Sequence, residues 1–209
     1  MLLSDKYILC IDPSGSHMAY ALLEIEAKEA VIVHTGMLWT KAAWTRGQRF
    51  NYMFQALEYL IEKHAPSPFR IVTEAFFSNP KLPMGQSVIP IVNGLMELIA
   101  SRDERIVFEQ VPPTVWRANL GIKSIKIDGK RDFKKPTAKY VEKCLGKVPE
   151  EIQSNVTLKQ RATPHDLTDV LAIALSYCKR EGINKVEMGQ TAFLPLIINS
   201  EMNKLVNKV

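Results

Sequence analysis

Five short apolar runs along the chain have the length and composition of β-strands. The first, Lys6–Ile11, ends at Asp12 and a turn of Pro, Ser and Gly residues. The second and third, His17–Ile25 and Ala30–Leu38, are joined by a short polar connection and predict an antiparallel meander with the first strand. The last two runs predict a fourth and a fifth strand, Phe69–Thr73 and Arg105–Val111.

Five other segments have the helical spacing of apolar residues or the residues that bound a helix. They are residues 44–63, 85–100, 112–120, 136–145 and 164–180. Residues 122–133 are polar and basic without a clear period, and no element is predicted there. The order of elements predicts an α/β domain over residues 1–182, in which helices flank a mixed five-stranded sheet, antiparallel in its first three strands and parallel afterwards. Residues 183–209 would form a C-terminal extension.

Carboxylates lie at two predicted strand ends and at the start of the last helix. Asp12 follows the first strand and Glu74 the fourth, and sites in α/β sheets gather at strand ends. Asp166 and Asp169 are three residues apart and therefore share a helical face. Like charges at such spacing repel unless a cation lies between them, and hard divalent cations prefer oxygen ligands. The four acids together predict a divalent-metal site for phosphodiester cleavage.

Each of these acids also has an explanation that involves no metal. Asp12 can set the turn that follows it, Glu74 can be a solvated strand end, and Asp166 suits the first turn of a helix as a capping carboxylate. Glu109 lies near the end of the fifth strand and competes with Glu74 for a place in the site. The spacing of residues alone leaves these alternatives open.

The composition, 46% hydrophobic and 23% charged residues, is typical of a globular protein. No apolar run approaches the roughly 18 residues that a membrane span needs, and the first residues lack the features of a signal peptide. The three cysteines, Cys10, Cys144 and Cys178, are widely spaced and form neither a disulfide framework nor a zinc-binding motif. We therefore expect an intracellular, cytoplasmic protein.

The net charge of +5 is concentrated in one part of the chain. From Trp116 to Arg161 there are 12 Lys and Arg residues and five Asp and Glu residues. A basic segment beside an acidic metal site suits a polyanionic substrate such as a nucleic acid. A Lys-rich surface that contacts only solvent explains the same charges, so composition does not decide between the two.

Four motifs, in order along the chain, resemble those of the RuvC family of Holliday junction resolvases, within the ribonuclease H-like superfamily. Residues 11–16, Ile-Asp-Pro-Ser-Gly-Ser, resemble the family's IDPGS signature with the order of Gly and Ser changed. Residues 73–77 resemble its VEQVF strand end, and residues 82–86 its KLGQARG helix start. Asp166 and Asp169, followed by Val-Leu-Ala-Ile-Ala, resemble its closing DxxDALAIA motif. The similarity covers residues 6–180, and the looser motifs and longer chain indicate a phage-type or otherwise divergent member.

The resemblance implies roles for individual acidic residues. It makes Asp12, Glu74, Asp166 and Asp169 the catalytic ligands of Mg²⁺ or Mn²⁺, with two ions in each active site. His165 is a candidate accessory residue, because some family members carry His at the position of Asp166.

The resemblance also indicates residues that would contact DNA. Phe77 matches a family aromatic that meets a base near the junction centre, although core packing explains it equally well. Lys134 or Lys135 falls near a family lysine that approaches the DNA backbone, and the motif does not choose between them. Other basic residues of this segment would contact phosphates without reading bases: Lys123, Lys126, Lys130 and Arg131.

The resemblance implies a homodimer that binds four-way DNA junctions and cuts two strands symmetrically by metal-dependent hydrolysis, in the host cytoplasm if the chain is phage-encoded. One alternative is a broader branched-DNA or ribonuclease H-like nuclease, and another is a junction-binding protein without catalysis. A sugar-kinase or actin-like ATPase also opens with an acidic turn after its first strand. Such a protein needs a duplicated domain and a second phosphate loop, for which 209 residues leave no room.

Overall fold

The computed structural model of the chain describes residues 5–14, 17–64, 67–75, 89–146 and 164–189. The helices and strands in these ranges follow one another in this order: β1 (Tyr7–Pro13), β2 (His17–Glu26), β3 (Glu29–Trp39), α1 (Arg46–His64), β4 (Phe69–Glu74), α2 (Ile89–Ser101), β5 (Ile106–Val111), α3 (Pro113–Leu120), β6 (Ile125–Ile127), β7 (Lys130–Asp132), α4 (Lys134–Leu145), α5 (Pro164–Arg180) and β8 (Lys185–Met188). Within the same ranges, no helix combines the length and the apolar character that a membrane span requires.

Six of the strands form one mixed sheet in the order β5-β4-β1-β2-β3-β8. β1, β2 and β3 pair antiparallel, whereas β4 runs parallel to β1, and β5 parallel to β4. This arrangement confirms the predicted α/β class and the predicted change from antiparallel to parallel pairing.

The predicted count of five strands is too low by one. β8 pairs parallel with β3, with Lys185 opposite Glu29. Its four residues lie beyond residue 182, in the segment that the sequence assigns to an extension. A four-residue strand at the edge of a sheet has too short a pattern to be recognised without its partner strand.

A second difference lies in residues 122–133, where β6 and β7 form a separate antiparallel pair, here called the ribbon. The turn between them is Asp128-Gly129, whose φ angles of 50° and 74° are both positive. Two-residue turns of this kind match the right-handed twist of the strands that they join. The Asp-Gly pair in the sequence indicates a hairpin. It was overlooked because the segment is polar and basic and lacks a clear strand period.

The side chains of β1 alternate between two cores, one on each side of the sheet. Leu9 and Ile11 pack with α1 and α2, whereas Ile8 and Cys10 pack with α3, α4 and α5. A strand covered on both faces is apolar at nearly every position, as β1 is up to Ile11. The same alternation places Asp12 on the side of α5.

Candidate active site

Asp12 and Glu74 lie next to each other where two parallel strands end. The register pairs Ile11 of β1 with Thr73 of β4, so Asp12 and Glu74 occupy the next position on each strand. Each acid comes two residues after a buried residue of the core beneath α5. Because side chains alternate along a strand, both carboxylates face α5.

α5 brings the other two acids to the same end of the sheet. The helix begins at Pro164, so Asp166 lies in its first turn and Asp169 follows three residues later. The helix is held against the sheet by fully buried Val170 and Leu171, and this packing sets the direction in which its first turns point. We call Asp12, Glu74, Asp166 and Asp169 the acid cluster.

The members of the acid cluster influence one another's protonation. Burial raises the pKa of Asp12 well above its usual value, and the charges of Glu74, Asp169 and Asp166 raise it further. Burial also raises the pKa of Asp169 to about 6, and the charges of Glu74 and Asp166 contribute. Burial raises the pKa of Glu74 in the same way. The four acids therefore lie within electrostatic reach of one another in a partly desolvated place.

The carboxylates do not surround a common point as they stand. Among the residues that the structure describes, no three His, Cys, Asp or Glu side chains are placed to hold a metal ion together. Asp166 is engaged by His17, the first residue of β2, with Oδ2 2.5 Å from Nε2 of the imidazole. The ring of His17 in turn lies against that of Trp39 at the end of β3, with centroids 4.8 Å apart.

α3 contributes an indole and a guanidinium to the acid cluster. Trp116 Nε1 donates a hydrogen bond of 3.0 Å to Glu74 Oε2, which lowers the pKa of Glu74 against the effect of burial. The guanidinium of Arg117 lies 4.5 Å from the ring centroid of Trp116 and 4.9 Å from that of Phe133. Its charge lowers the pKa of three of the four acids. Arg117 is therefore a cation placed directly beside the acid cluster.

Lys134 approaches the cluster from the start of α4, and its charge lowers the pKa of Asp169. Asp132 fixes this start: its Oδ1 accepts a hydrogen bond of 3.0 Å from the backbone N–H of Lys134, and its Oδ2 one of 3.5 Å from that of Lys135. Since Asp132 is the last residue of β7, the ribbon leads directly into the helix that carries both lysines.

The remaining residues that the sequence suggested for DNA contact lie on or beside the ribbon. All four are exposed: Lys123, Lys126, Lys130 and Arg131. Lys126 and Arg131 are opposite each other across the two strands. Phe77 lies outside the described residues, and so does the side chain of His165.

Glu109, the competing strand-end acid, is held away from the acid cluster. In the register it lies two residues before the position opposite Glu74. Its carboxylate accepts hydrogen bonds from both terminal nitrogens of Arg180 and lies 3.6 Å from Arg70 Nη1. Arg180 ends α5, 14 residues after Asp166, which is roughly 20 Å along the helix. The structure therefore assigns Glu109 to an ion-pair network at the other end of α5.

Three residues next to the acid cluster were missed by the sequence analysis: His17, Trp116 and Arg117. His17 could have been found from the sequence. It begins the second strand of the predicted antiparallel meander, and a strand that pairs antiparallel with the first one begins beside the end that carries Asp12. Arg117 was counted only as part of the basic segment. No local signal identifies Trp116, since its partner Glu74 is 42 residues away in the chain.

Known proteins resemble this chain over most of its length. The family model described as crossover junction endodeoxyribonuclease RuvC matches residues 8–131. A protein of that name from Dictyoglomus thermophilum is 26% identical over 176 residues, which cover 84% of this chain and 98% of that protein. Another of the same name, from Fusobacterium nucleatum, is 23% identical over 200 residues, covering 95% of this chain and 93% of that protein.

Solved structures share the fold. T. thermophilus RuvC in complex with Holliday junction substrate has a TM-score of 0.58 and 18% identity, covering 85% of this chain and 96% of that one. The yeast mitochondrial Holliday junction resolvase Ydc2 has a TM-score of 0.53 and 12% identity, covering 84% and 78%. The mixed sheet and its flanking helices give the chain a ribonuclease H-like fold. Within that class, the chain belongs to the crossover junction endodeoxyribonuclease RuvC family, whose model matches more than half of its length.

Proposed function

We propose that this protein is a divalent-metal-dependent endonuclease that resolves four-way DNA junctions by two symmetric cuts. The family and the names of its relatives support the reaction, and the solved relative in complex with a Holliday junction supports the substrate. The acid cluster at the ends of β1 and β4 is the observation that carries the proposal. Such an enzyme would act on DNA in the cytoplasm of a bacterium, or of the host if a phage encodes it.

The donor set of the acid cluster suits Mg²⁺ or Mn²⁺. Both ions prefer oxygen ligands, and a buried carboxylate that is repelled by its neighbours gains more from a cation than a solvated one. Asp12, Glu74, Asp166 and Asp169 would hold a pair of ions once their side chains turn towards one another about their χ angles. When bound, the metal supplies a more acidic water and neutralises charge on the phosphate.

The residues around the cluster have roles that follow from their contacts. Trp116 orients the Glu74 carboxylate through the indole N–H. Arg117 and Lys134 place positive charge where a DNA phosphate would otherwise meet only carboxylates. In the hydrolysis, a water oxygen bonds to phosphorus and the bond from phosphorus to O3′ breaks, with a proton passing to O3′. The products carry 5′-phosphate and 3′-hydroxyl ends, and no side chain becomes covalently attached.

The ribbon would carry contacts to the DNA backbone. Lys126 and Arg131 are directly opposite each other, and like charges in that position destabilise a strand pair unless an anion lies beside them. Together with Lys123 and Lys130 they would position phosphates without reading the sequence. Roles for Phe77, Lys135 and His165 remain predictions from the resemblance.

A homodimer would be formed through α2, which presents an apolar stripe to solvent. Leu98 is 43% exposed, and Ile91 and Leu95 on the same side are partly exposed. Between them lies Gly94, where an added Cβ would meet no atom within 4 Å, so a second helix can approach closely. Exposed apolar stripes of this kind mark association surfaces.

Leu98→Glu is expected to convert the dimer to a monomer, because it places a charge in the apolar stripe. Sedimentation equilibrium on the full chain measures the mass directly. Val115→Glu, at a residue of α3 that is 53% exposed, makes the same chemical change away from α2 and should leave the mass unchanged. A dimer that persists in Leu98→Glu would remove α2 from the interface.

The activity itself is tested with the full chain, Mg²⁺ or Mn²⁺, and three labelled substrates: a four-way junction, a linear duplex and an RNA–DNA hybrid. We expect paired nicks at symmetric positions in the junction and no cutting of the duplex. Cutting of the hybrid or of all three substrates would show a broader nuclease. Binding without cutting in either metal would show a junction-binding protein.

A further inference from the structure

A second cationic surface lies at the same end of the sheet as the acid cluster. The connection from β3 to α1 and the first turn of α1 contain Lys41, Arg46 and Arg49. No Asp or Glu occurs anywhere from Ala30 to Leu57. The roles described so far do not include these cations. We call residues 40–50 the β3–α1 corner.

Contacts between side chains link the acid cluster to the beginning of this corner. Asp166 contacts His17, and the ring of His17 lies against that of Trp39, its partner in the β2–β3 register. Trp39 is the last residue of β3, and Lys41 follows two residues later. The β3–α1 corner therefore begins at the end of the sheet that carries the acid cluster, and it continues onto the side of the sheet where Trp44 and Phe50 pack with α1.

The two exposed cations of the corner are held against aromatic rings. Lys41 Nζ lies 5.3 Å from the ring centroid of Trp44, and the guanidinium carbon of Arg46 lies 6.0 Å from that of Phe50. An aromatic face attracts a cation without neutralising its charge. Both charges therefore remain effective towards an anion outside the protein.

The backbone of the corner is braced from within. Arg49 donates hydrogen bonds to the carbonyl oxygens of Ala42 at 2.8 Å and Trp44 at 3.2 Å. Thr45 and Gln48 form a reciprocal capping box, with N···O distances of 2.9 Å and 3.3 Å. A surface that is already ordered loses little conformational entropy when it binds. Arg49 has a structural role here, which leaves Lys41 and Arg46 as the residues directed at a partner.

We propose that the β3–α1 corner binds the sugar-phosphate backbone of the DNA held at the acid cluster, through Lys41 and Arg46. This inference rests on the proposed function. Four carboxylates repel the phosphates that must approach them, and an acid-free cationic surface at the same end of the sheet offsets that repulsion. Because the contacts are to phosphates, they strengthen binding without choosing a sequence.

The experiment compares two double variants of the full chain. Lys41→Gln/Arg46→Gln removes two charges from the corner. Lys28→Gln/Lys63→Gln removes two exposed charges from the β2–β3 turn and the last turn of α1, at the far ends of β2 and α1. Affinity for a four-way junction is measured in EDTA between about 50 and 200 mM salt. We expect the plot of the logarithm of the binding constant against the logarithm of the salt concentration to become shallower by about 1.8 for Lys41→Gln/Arg46→Gln and to stay unchanged for Lys28→Gln/Lys63→Gln. Each phosphate contact contributes roughly 0.9 to this slope, and the first variant removes two contacts.

Each other outcome overturns the inference. An unchanged slope in the corner variant, or an equal change in both variants, would show no specific contact, while junction cleavage by the native protein would leave the proposed function intact. Failure of the native protein to bind and cut branched DNA would remove the proposed function and this inference with it.

A second measurement needs no variant. In the native protein, junction DNA should protect Lys41 from acetylation by an amine-reactive reagent and leave Lys28 as reactive as before, as read by mass spectrometry. Reactivity of Lys41 that DNA does not change would contradict the proposal. Protection that grows with protein concentration in the absence of DNA would show instead that a second copy of the chain covers the corner.

Discussion

Asp169→Asn is expected to reduce the rate of junction cleavage by more than about a hundredfold and to leave the junction bound. Asn has nearly the shape of Asp, so packing of α5 is retained. The loss of one negative charge weakens the hold on a divalent cation, whereas the phosphate contacts proposed for the ribbon would be untouched. Cleavage and binding are measured on the same labelled junction, with Mg²⁺ or Mn²⁺ in the first case and EDTA in the second.

Glu109→Gln is the matched control for this experiment. It makes the same chemical change, from a carboxylate to an amide, in a strand-end acid that lies outside the acid cluster. That acid pairs with Arg180 and Arg70. We expect its cleavage rate to remain within about threefold of the native rate. Equal loss of cleavage in both variants would mean that carboxylates matter only for stability, and full activity of Asp169→Asn would exclude Asp169 from the catalytic residues.

Asp169→Asn is also expected to stabilise the metal-free protein at pH 7, by about 3 kcal/mol. The pKa of Asp169 is raised to about 6 in the folded state by burial and like charges, from 3.8 without them. A folded state that binds the proton more tightly than the unfolded state is favoured by acid, so this group costs stability increasingly as pH rises from about 4 through 6. Asn carries no charge and avoids the cost.

Urea unfolding in EDTA at pH 7 and at pH 5 tests whether the charge of Asp169 lowers the free energy of unfolding as the pH rises. The gain from Asp169→Asn should be largest at pH 7 and shrink at pH 5. His64 has a pKa lowered by burial, so its contribution to stability rises with pH, opposite to that of Asp169. This contribution is the same in both proteins and cancels when the free energy of unfolding of the native protein is subtracted from that of the variant. Asp103, with a pKa lowered to about 2, changes its contribution only below this window.

Two comparisons make this stability prediction specific. Glu109→Gln should destabilise the protein, because it leaves Arg180 and Arg70 without their shared carboxylate. Addition of Mg²⁺ or Mn²⁺ should stabilise the native protein and have a smaller effect on Asp169→Asn. If Asp169→Asn destabilises the protein in EDTA, the carboxylates of the acid cluster do not repel one another as the proposed metal site requires.

Local sequence patterns were sufficient for most elements of this fold. The apolar spacing after Pro164 predicts a helix to about Arg180, and α5 has those bounds. α3 begins one residue after the predicted start at residue 112 and ends at Leu120 as predicted, and Gly121 has the positive φ of 71° that ends a helix in the left-handed conformation. In each case the information lies within a few residues along the chain, where backbone preferences and side-chain periodicity act.

Composition and spacing also indicated which acids to compare, but they could not choose among them. Glu74 and Glu109 both stand near the end of an apolar strand, and only the resemblance of residues 73–77 to a family motif favours Glu74. The parallel register of β4 with β5 and the reach of Arg180 from the far end of α5 decide that only Glu74 lies beside Asp12.

The groups that surround the acid cluster depend entirely on tertiary structure. The contact between His17 and Asp166 joins residues 149 positions apart, and Trp116 reaches Glu74 across 42. Periodicity determines the face on which a residue lies, and therefore which residues are buried or exposed. Which buried groups meet, and how their charges raise or lower one another's pKa, is decided only when separate elements pack together and exclude water between them.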